Sequence, residues 1–251
     1  MKRRVGFIVK CLTITGWQYI ITLYYKNGTR FVATLSDENG NKLANQNLTI
    51  SVSGVDYVRT TDESGQASLA INLIPGEYWI GVLYKGDGNY SESSASATCT
   101  VLPTIHGEDI VKYYRNDTQY YATFLDGHGN PLANTDVTFN INGVFYTRST
   151  NEKGVARLNI NLNPGVYILT AYNPLSGEQH ANTITVLSSI VENNDLTKFF
   201  KNESQFSFRL LDNKGSPVGA GVNAILNING VLYTRSTNAS GYVNMNINLN
   251  P

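Results

Sequence analysis

The chain is poor in charge, and its positive and negative residues cancel. Of its 251 residues only 15% are charged, and 19 basic residues balance 19 acidic ones. Nucleic acids and anionic membranes bind basic surfaces, so we expect neither as a partner. No stretch of about 20 residues is apolar throughout, which argues against a transmembrane helix.

Cysteine is also scarce, and only Cys11 and Cys99 are present. Two cysteines are too few for a disulfide framework, so folding must depend on core packing. Cys99 falls at an inward position of a predicted strand and is expected to be a small buried apolar side chain. The basic and then apolar start of the chain is similar to a signal peptide, but Lys10 interrupts the apolar run and no small-residue cleavage site follows.

The chain does contain an internal repeat. Segments 48–76, 137–165 and 223–251 have nearly the same sequence. Their shared glycines, Gly54, Gly143 and Gly230, are separated by 89 and 87 residues. A fixed period of this kind marks a tandem array of one folding unit.

Apolar residues alternate with polar ones within each copy. Val137, Phe139 and Ile141 form one row, and Asn142-Gly143 follows, a dipeptide that favours the type I′ hairpin turn. The Gly-x-Tyr that ends at Tyr167 resembles the tyrosine corner of immunoglobulin-like sandwiches. Because no copy shows a helical period, the fold class predicted is all-β: tandem seven-stranded immunoglobulin-like β-sandwiches, the third incomplete.

The offsets also predict the domain boundaries. We expect an atypical leader or truncation scar at 1–19, complete repeats at 20–104 and 105–189, and a third repeat at 190–251 that lacks its last two strands. A sandwich without those strands would expose its core, so the chain is interpreted as a fragment of a longer array. The linkers are short and predict limited hinge motion between units.

A second shared feature is a loop with Asp at its first position and Gly at its last. It runs over 37–40, 126–129 and 212–215. This pattern favours a type I turn in which the carboxylate accepts backbone N–H groups. A calcium loop would need six or more oxygen ligands, and one or two carboxylates per turn are too few.

At DLTKFFKNESQF (195–206), at 129–173 and at NTITVL (182–187), the chain resembles the adhesin-like surface proteins of methanogenic archaea, which contain tandem bacterial-type immunoglobulin-like repeats. The resemblance covers roughly residues 21–251 and implies an extracellular, cell-surface-attached location and a stalk or adhesive role. An export signal is not evident at the amino terminus, and no wall-binding or membrane anchor is seen.

Residues that could support chemistry are few. His106, His128 and His180 fall in a predicted linker, a turn and a loop, with no match in the sister copies. No nucleophile elbow, phosphate-binding loop or zinc motif occurs. We therefore predict that the chain is not an enzyme and has no catalytic residue, metal or cofactor, while intramolecular cross-links stay open.

Two kinds of polar or aromatic residue are candidates for ligand contact. One is the repeated arginine, at Arg59, Arg148 and Arg235, which could instead fold over the sheet end and pair with a carboxylate. The other is the aromatic residues Tyr84 and Tyr172 near predicted loop ends, where a sugar could stack, although packing at the core edge is the alternative. Asn27, Asn116 and Asn202 occupy one equivalent turn and are candidate N-glycosylation sites.

Three functions follow from these features. The first is a non-enzymatic cell-surface adhesin stalk, a monomeric rod whose length grows by repetition. The second is a module that binds host or cell-wall glycan or another surface protein. The third makes the repeats accessory domains of a large secreted hydrolase.

Overall fold

The computed structural model describes residues 2, 4–9, 14–15 and 18–249, and Cys11 lies outside them. Within these ranges every regular element is a β-strand, which confirms the all-β prediction. No helix in this part of the chain is long and apolar enough to span a membrane. Apolar side chains gather in three separate cores, one for each copy of the repeat.

The second copy has eight strands. They are β10 (Ile105–Gly107), β11 (Ile110–Tyr113), β12 (Gln119–Phe124), β13 (Asp136–Ile141), β14 (Val144–Ser149), β15 (Val155–Asn159), β16 (Gly165–Tyr172) and β17 (Gln179–Leu187). One sheet has the order β10-β12-β15 and the other β11-β17-β16-β13-β14. The first predicted strand is divided between the sheets: β10 pairs antiparallel with β12, and β11 pairs parallel with β17. This division explains why eight strands are found where seven were predicted.

The inward rows of both sheets meet in one buried core. Tyr120, Phe124 and Phe139 are fully buried, and the rings of Tyr120 and Phe124 each pack edge-on against Phe139 at 5.7 and 5.8 Å. Burying a side chain of this size stabilises the fold by roughly 1.5–3 kcal/mol. The period-two rows of the sequence therefore form the core.

The hairpin before the repeated arginine has the predicted turn. Asn142 and Gly143 have φ of 53° and 76°, and Asn229 and Gly230 have 50° and 86°. Two successive residues at positive φ define the type I′ turn, whose twist matches that of paired strands. The first copy places Ser53 before the glycine in the same conformation.

The first copy has the same two layers. Its strands are β1 (Val5–Val9), β2 (Ile14–Thr15), β3 (Gln18–Tyr24), β4 (Arg30–Asp37), β5 (Asn47–Val52), β6 (Val55–Thr60), β7 (Gln66–Ala70), β8 (Gly76–Tyr84) and β9 (Ser93–Leu102). β1 pairs antiparallel with β4, as β10 does with β12. Residues 5–9, predicted to be a leader or scar, are therefore a strand of this sandwich. The other predicted domain limits stay predictions.

The third copy contains β18 (Ile190–Val191), β19 (Gln205–Leu210), β20 (Asn223–Ile228), β21 (Val231–Ser236) and β22 (Tyr242–Asn246). β18, β19 and β22 form one sheet, and β20 and β21 form the other. Its core holds four buried apolar residues: Phe208, Leu226, Val243 and Met245. An apolar cleft of about 490 Å³ opens beside them.

Side chains also fix the loops that join the strands. In the tyrosine corners, the hydroxyls of Tyr78 and Tyr167 donate to the carbonyls of Ile74 and Asn163 at 2.8 and 2.9 Å. In the turn at 212–215, Asp212 Oδ1 accepts the amides of Lys214 and Ser216 at 2.8 and 2.9 Å. These hydrogen bonds satisfy backbone N–H and C=O groups in the loops that have no partner in the sheets.

Candidate functional site

The repeated arginine lies on an edge strand in every copy, namely β6, β14 and β21. Each guanidinium stacks over the tyrosine two residues earlier: Arg59 on Tyr57 at 5.7 Å, Arg148 on Tyr146 at 5.6 Å and Arg235 on Tyr233 at 5.9 Å. In each pair Nη1 also donates to the carbonyl of the preceding residue, at 2.7–2.8 Å. The arginine is thus used locally, as a cation–π stack beside an open sheet edge.

Among the described residues, none of the three repeated arginines forms the ion pair with a carboxylate that was suggested. The ion pair recorded among the described residues joins a different arginine, Arg209, to Glu192 at 3.4 Å. Arg148 and Arg235 are exposed residues. A guanidinium already stacked on an aromatic ring retains donors that can still reach a ligand.

The two candidate tyrosines lie in different environments. Tyr84 is 2% exposed, and its hydroxyl donates to Gln46 Oε1 at 3.0 Å. Burial, with a smaller effect of the Asp87 charge, raises the pKa of Tyr84 to about 12. Tyr84 is therefore a core-edge residue and does not lie on a surface open to a ligand. Its parity explains this, because it follows Ile80 and Val82 at a spacing of two on the inward row.

Tyr172 points away from the core. It is half-buried, and its ring lies 6.2 Å from that of Phe145, which is 66% exposed. Tyr172 pairs with Thr138, whereas Arg148 pairs with the buried Val137. Successive residues of a strand face opposite sides, so Arg148 and Tyr172 lie on opposite faces of one sheet and cannot form a single site.

An aromatic residue that the sequence analysis overlooked is more exposed than either tyrosine. Trp79 on β8 is 56% exposed and lies across Gly81, where a side chain would collide with the indole. The shallow cleft beside it holds about 480 Å³ and is lined by the hydroxyl-bearing Ser51, Ser94 and Ser96. An indole face beside hydroxyl groups is a surface on which a sugar ring can stack. Its signal was a tryptophan at an outward position of an alternating strand.

Two of the three histidines line one cleft, although the sequence places them in separate segments. His106 and His180 border a cleft of about 690 Å³ together with Asp109. Asp109 Oδ1 accepts the Thr183 amide at 2.8 Å and the Asn182 side chain at 3.1 Å, and these bonds lower its pKa. The carboxylate is thus already used to hold a loop. Across the described residues, no group of three or more His, Cys, Asp or Glu could hold a metal ion.

A buried lysine was also missed. Lys112 is 4% exposed, and its Nζ donates to the carbonyls of Ile160 and Thr118 at 2.8 and 3.1 Å. Burial lowers its pKa, and the Asp117 charge acts in the opposite direction. The first copy has the buried Leu23 at this position, whereas the third has Lys198. That mismatch between copies was the signal in the sequence.

The three candidate glycosylation sites share one geometry. The Oδ1 atoms of Asn27, Asn116 and Asn202 accept the amide two residues later at 2.7–2.8 Å. The Asn116 amide also donates to the carbonyl of Asn213 in the next copy at 2.8 Å. A glycan on that nitrogen would have to displace this bond.

The topology and the corner hydrogen bonds settle the fold class. The repeats are immunoglobulin-like sandwiches. No family model matches the chain, and no curated protein matches it. Solved structures do resemble it, at low scores. A structure of the titin I9–I11 tandem is 15% identical, covers 98% of this chain and 90% of its own, and has a TM-score of 0.37.

Two further likenesses come from bacterial proteins. A structure concerned with host cell-surface retention of a 1.5-MDa bacterial ice-binding adhesin is 17% identical, covers 99% of this chain and 88% of its own, with a TM-score of 0.28. A Bacteroides ovatus mixed-linkage glucan utilization protein in complex with a heptasaccharide is 11% identical with a TM-score of 0.30. It covers 95% of this chain, which spans 60% of that protein. At these values none of them assigns a function to this chain.

Proposed function

We propose that this chain is a non-enzymatic segment of an extracellular, cell-surface-attached adhesin, in which the immunoglobulin-like repeats act as a spacer. The observation that carries the proposal is the separation of the cores. Residues of the first core all lie within 5–101 and those of the second within 105–186, so each sandwich closes on itself. Units that contact only their sequence neighbours extend a chain in one dimension.

Small-angle scattering of the full chain tests the spacer role. A strand of about eight residues spans roughly 26 Å, so three units in line, with the loops at their ends, predict a longest dimension of about 100 Å. The distance distribution should have the skewed tail of a rod. A symmetric distribution, as from a compact globule, would reject the spacer.

The Trp79 cleft supports a second candidate function, namely glycan binding. An exposed indole flanked by three serines offers both a stacking face and hydrogen-bonding groups. Exposed aromatic residues on a sheet face are common at binding surfaces. A spacer that also held host or wall glycan along its length would serve adhesion directly.

An oligosaccharide array probed with the full chain tests this second function. Binding that is lost with Trp79→Ala and kept with Ile168→Ala would place the site at the cleft, because Ile168 holds the equivalent outward position in the second copy and is similarly exposed. Equal binding by both variants would remove the cleft as a glycan site.

A further inference from the structure

Consecutive units touch through a contact that occurs twice. We call residues 24–27, 113–116 and 199–202 the aromatic tips, and the turns at 37–40, 126–129 and 212–215 the Asp-Gly turns. The first two aromatic tips begin at the last residue of the strand that pairs parallel with the last strand of their own unit, and the third occupies the equivalent position. Each Asp-Gly turn lies at the opposite end of a unit.

At the first joint, the tip of the first copy lies against the turn of the second. A Cβ built on Gly129 would stand 2.7 Å from the Tyr24 hydroxyl oxygen, and one on Gly127 would stand 3.0 Å from Asn27 Cα. Real Cβ atoms essentially never come within 3.0 Å of another heavy atom, so a side chain at Gly129 would have to push the Tyr24 ring away from the turn.

The second joint repeats this arrangement with different residues around it. A Cβ on Gly215 would stand 2.6 Å from the Tyr113 hydroxyl oxygen. The Asn116 side chain adds a hydrogen bond to the Asn213 carbonyl within the same turn, at 2.8 Å. The two joints are thus formed by equivalent residues. Each residue at the second joint lies 86 to 89 positions after its counterpart at the first.

The third tip shows the same element without a turn against it. Phe199 occupies the place of Tyr24 and Tyr113 and is 88% exposed, whereas both tyrosines are half-buried. Asn202 is likewise exposed, whereas Asn116 is half-buried. At the other end of the array, a Cβ on Gly40 would meet nothing within 4 Å. The aromatic tips and Asp-Gly turns are therefore partly buried at the two joints, whereas the third tip and Gly40 of the first turn are exposed.

The linker is held as well. Thr104, between the first two copies, is fully buried, and its amide donates to Glu178 Oε2 at 2.5 Å. Asn173 Nδ2 donates to Thr104 Oγ1 at 3.0 Å. In the second linker, Leu211 N donates to the carbonyl of Ser189 at 2.8 Å, as Leu125 N does to that of Thr104.

We propose that the aromatic tip is a docking surface for the Asp-Gly turn of the following immunoglobulin-like unit, and that the side-chain-free glycine is what the ring recognises. Docking fixes the angle between consecutive units. The inference deepens the spacer role and rests on it, because it makes the spacer stiff instead of hinged.

A spin-label distance measurement on the full chain tests the docking. Labels are attached through Glu152→Cys and Ala239→Cys, both at exposed positions, in a Cys11→Ser background with Cys99 left buried. The chain with an intact joint should give one narrow distance peak between the second and third copies. Tyr113→Ala and Gly215→Ala should each lose that peak.

The chain supplies a matched control in Gly40→Ala. Gly40 and Gly215 share a φ of 84°, so alanine meets the same backbone strain at both, but only Gly215 lies under a ring. Docking predicts that Gly40→Ala keeps the narrow peak. A peak retained by Tyr113→Ala and Gly215→Ala overturns it, as does a broad distribution in the unsubstituted chain. A broad distribution with an extended scattering profile would still leave a flexible spacer, whereas a compact profile would reject the spacer itself.

Discussion

At the scale of single residues, the differences between copies are as informative as the repeats. Tyr120 of the second copy has a phenylalanine at the equivalent position in each of the other two copies, namely Phe31 and Phe206. The Tyr120 hydroxyl donates to Asn182 Oδ1 at 2.7 Å in a fully buried setting. Asn182 in turn donates to Asp109 Oδ1 and to the Gly107 carbonyl. One hydroxyl thus completes a polar chain that the other copies lack.

Tyr120→Phe should lower the free energy of unfolding by about 1–2 kcal/mol at neutral pH, because the ring still fits but Asn182 Oδ1 loses its donor. Burial and the Asp109 charge raise the pKa of Tyr120 to about 12. A phenol whose pKa is about 10 when unfolded and higher when folded stabilises fully below pH 10, and this contribution is lost as pH rises towards 12. Urea unfolding of the full chain at pH 7 and 11 measures both effects.

The neighbouring Tyr121 provides the control, since it is 53% exposed and its hydroxyl donates to Gln119 at the surface. Tyr121→Phe should change stability little at either pH. Equal losses in the two variants would contradict a buried role for the Tyr120 hydroxyl.

Asp212 gives a second prediction at this scale. The amides of Ser216 and then Lys214 lower its pKa below 3.8. For a carboxyl with a depressed folded pKa, the stabilising contribution is present above the ordinary value and is lost as pH falls through the folded one. The amide chemical shifts of Lys214 and Ser216 should therefore change only below about pH 4.

Two substitutions separate charge from geometry in this turn. Asp212→Asn should keep both amide shifts and lose their acid transition, because Asn151 makes the same pair of bonds with its Oδ1 in another turn. Asp212→Ala should lose both bonds at every pH. If the acid transition persists in Asp212→Asn, a group other than the Asp212 carboxyl must cause it.

At the scale of strands and turns, local sequence patterns predicted most of the strands and hairpin turns. They did not predict the contacts between segments that lie far apart in the chain. The period of two predicted the buried row of β13, and Asn-Gly predicted the turn after it. Strand β1 was missed because the segment joining it to β3 is longer than its counterpart in the second copy. The constant spacing between equivalent residues of the two copies therefore does not extend to β1. The tip and turn contacts were missed because they join residues about 100 positions apart.

The tyrosine corner can be tested at this scale. Tyr167→Phe removes the bond to the Asn163 carbonyl at the start of β16 and should lower the free energy of unfolding by about 1 kcal/mol. Tyr78→Phe removes the equivalent bond to Ile74 and should cost a similar amount. Denaturant unfolding measures both, with Tyr57→Phe on an exposed edge strand as the control. A corner variant no less stable than Tyr57→Phe would show that the hydroxyl hydrogen bond of the corner does not stabilise the fold.

At the scale of the whole molecule, the three copies differ in how much apolar surface they bury. In the described residues the first two cores contain many buried apolar side chains, and the third contains four. Its hairpin β20–β21 pairs with no other described strand, whereas β13–β14 continues into β16 and β17. A two-stranded sheet on its own is only marginally stable in water. Stability should therefore fall along the array.

Hydrogen exchange of the full chain measures this gradient, and the repeat provides its own comparison. Residues 223–236 and 136–149 share most of their sequence, including the type I′ turn and the arginine–tyrosine stack, so their intrinsic exchange rates are similar. The amides at 136–149 should exchange slowly, because opening them breaks a closed sandwich, and those at 223–236 should exchange much faster. Equal protection would mean that the third copy gains stability from its joint with the second. In that case Gly215→Ala, which separates the tip from the turn, should remove the excess protection from 223–236 alone.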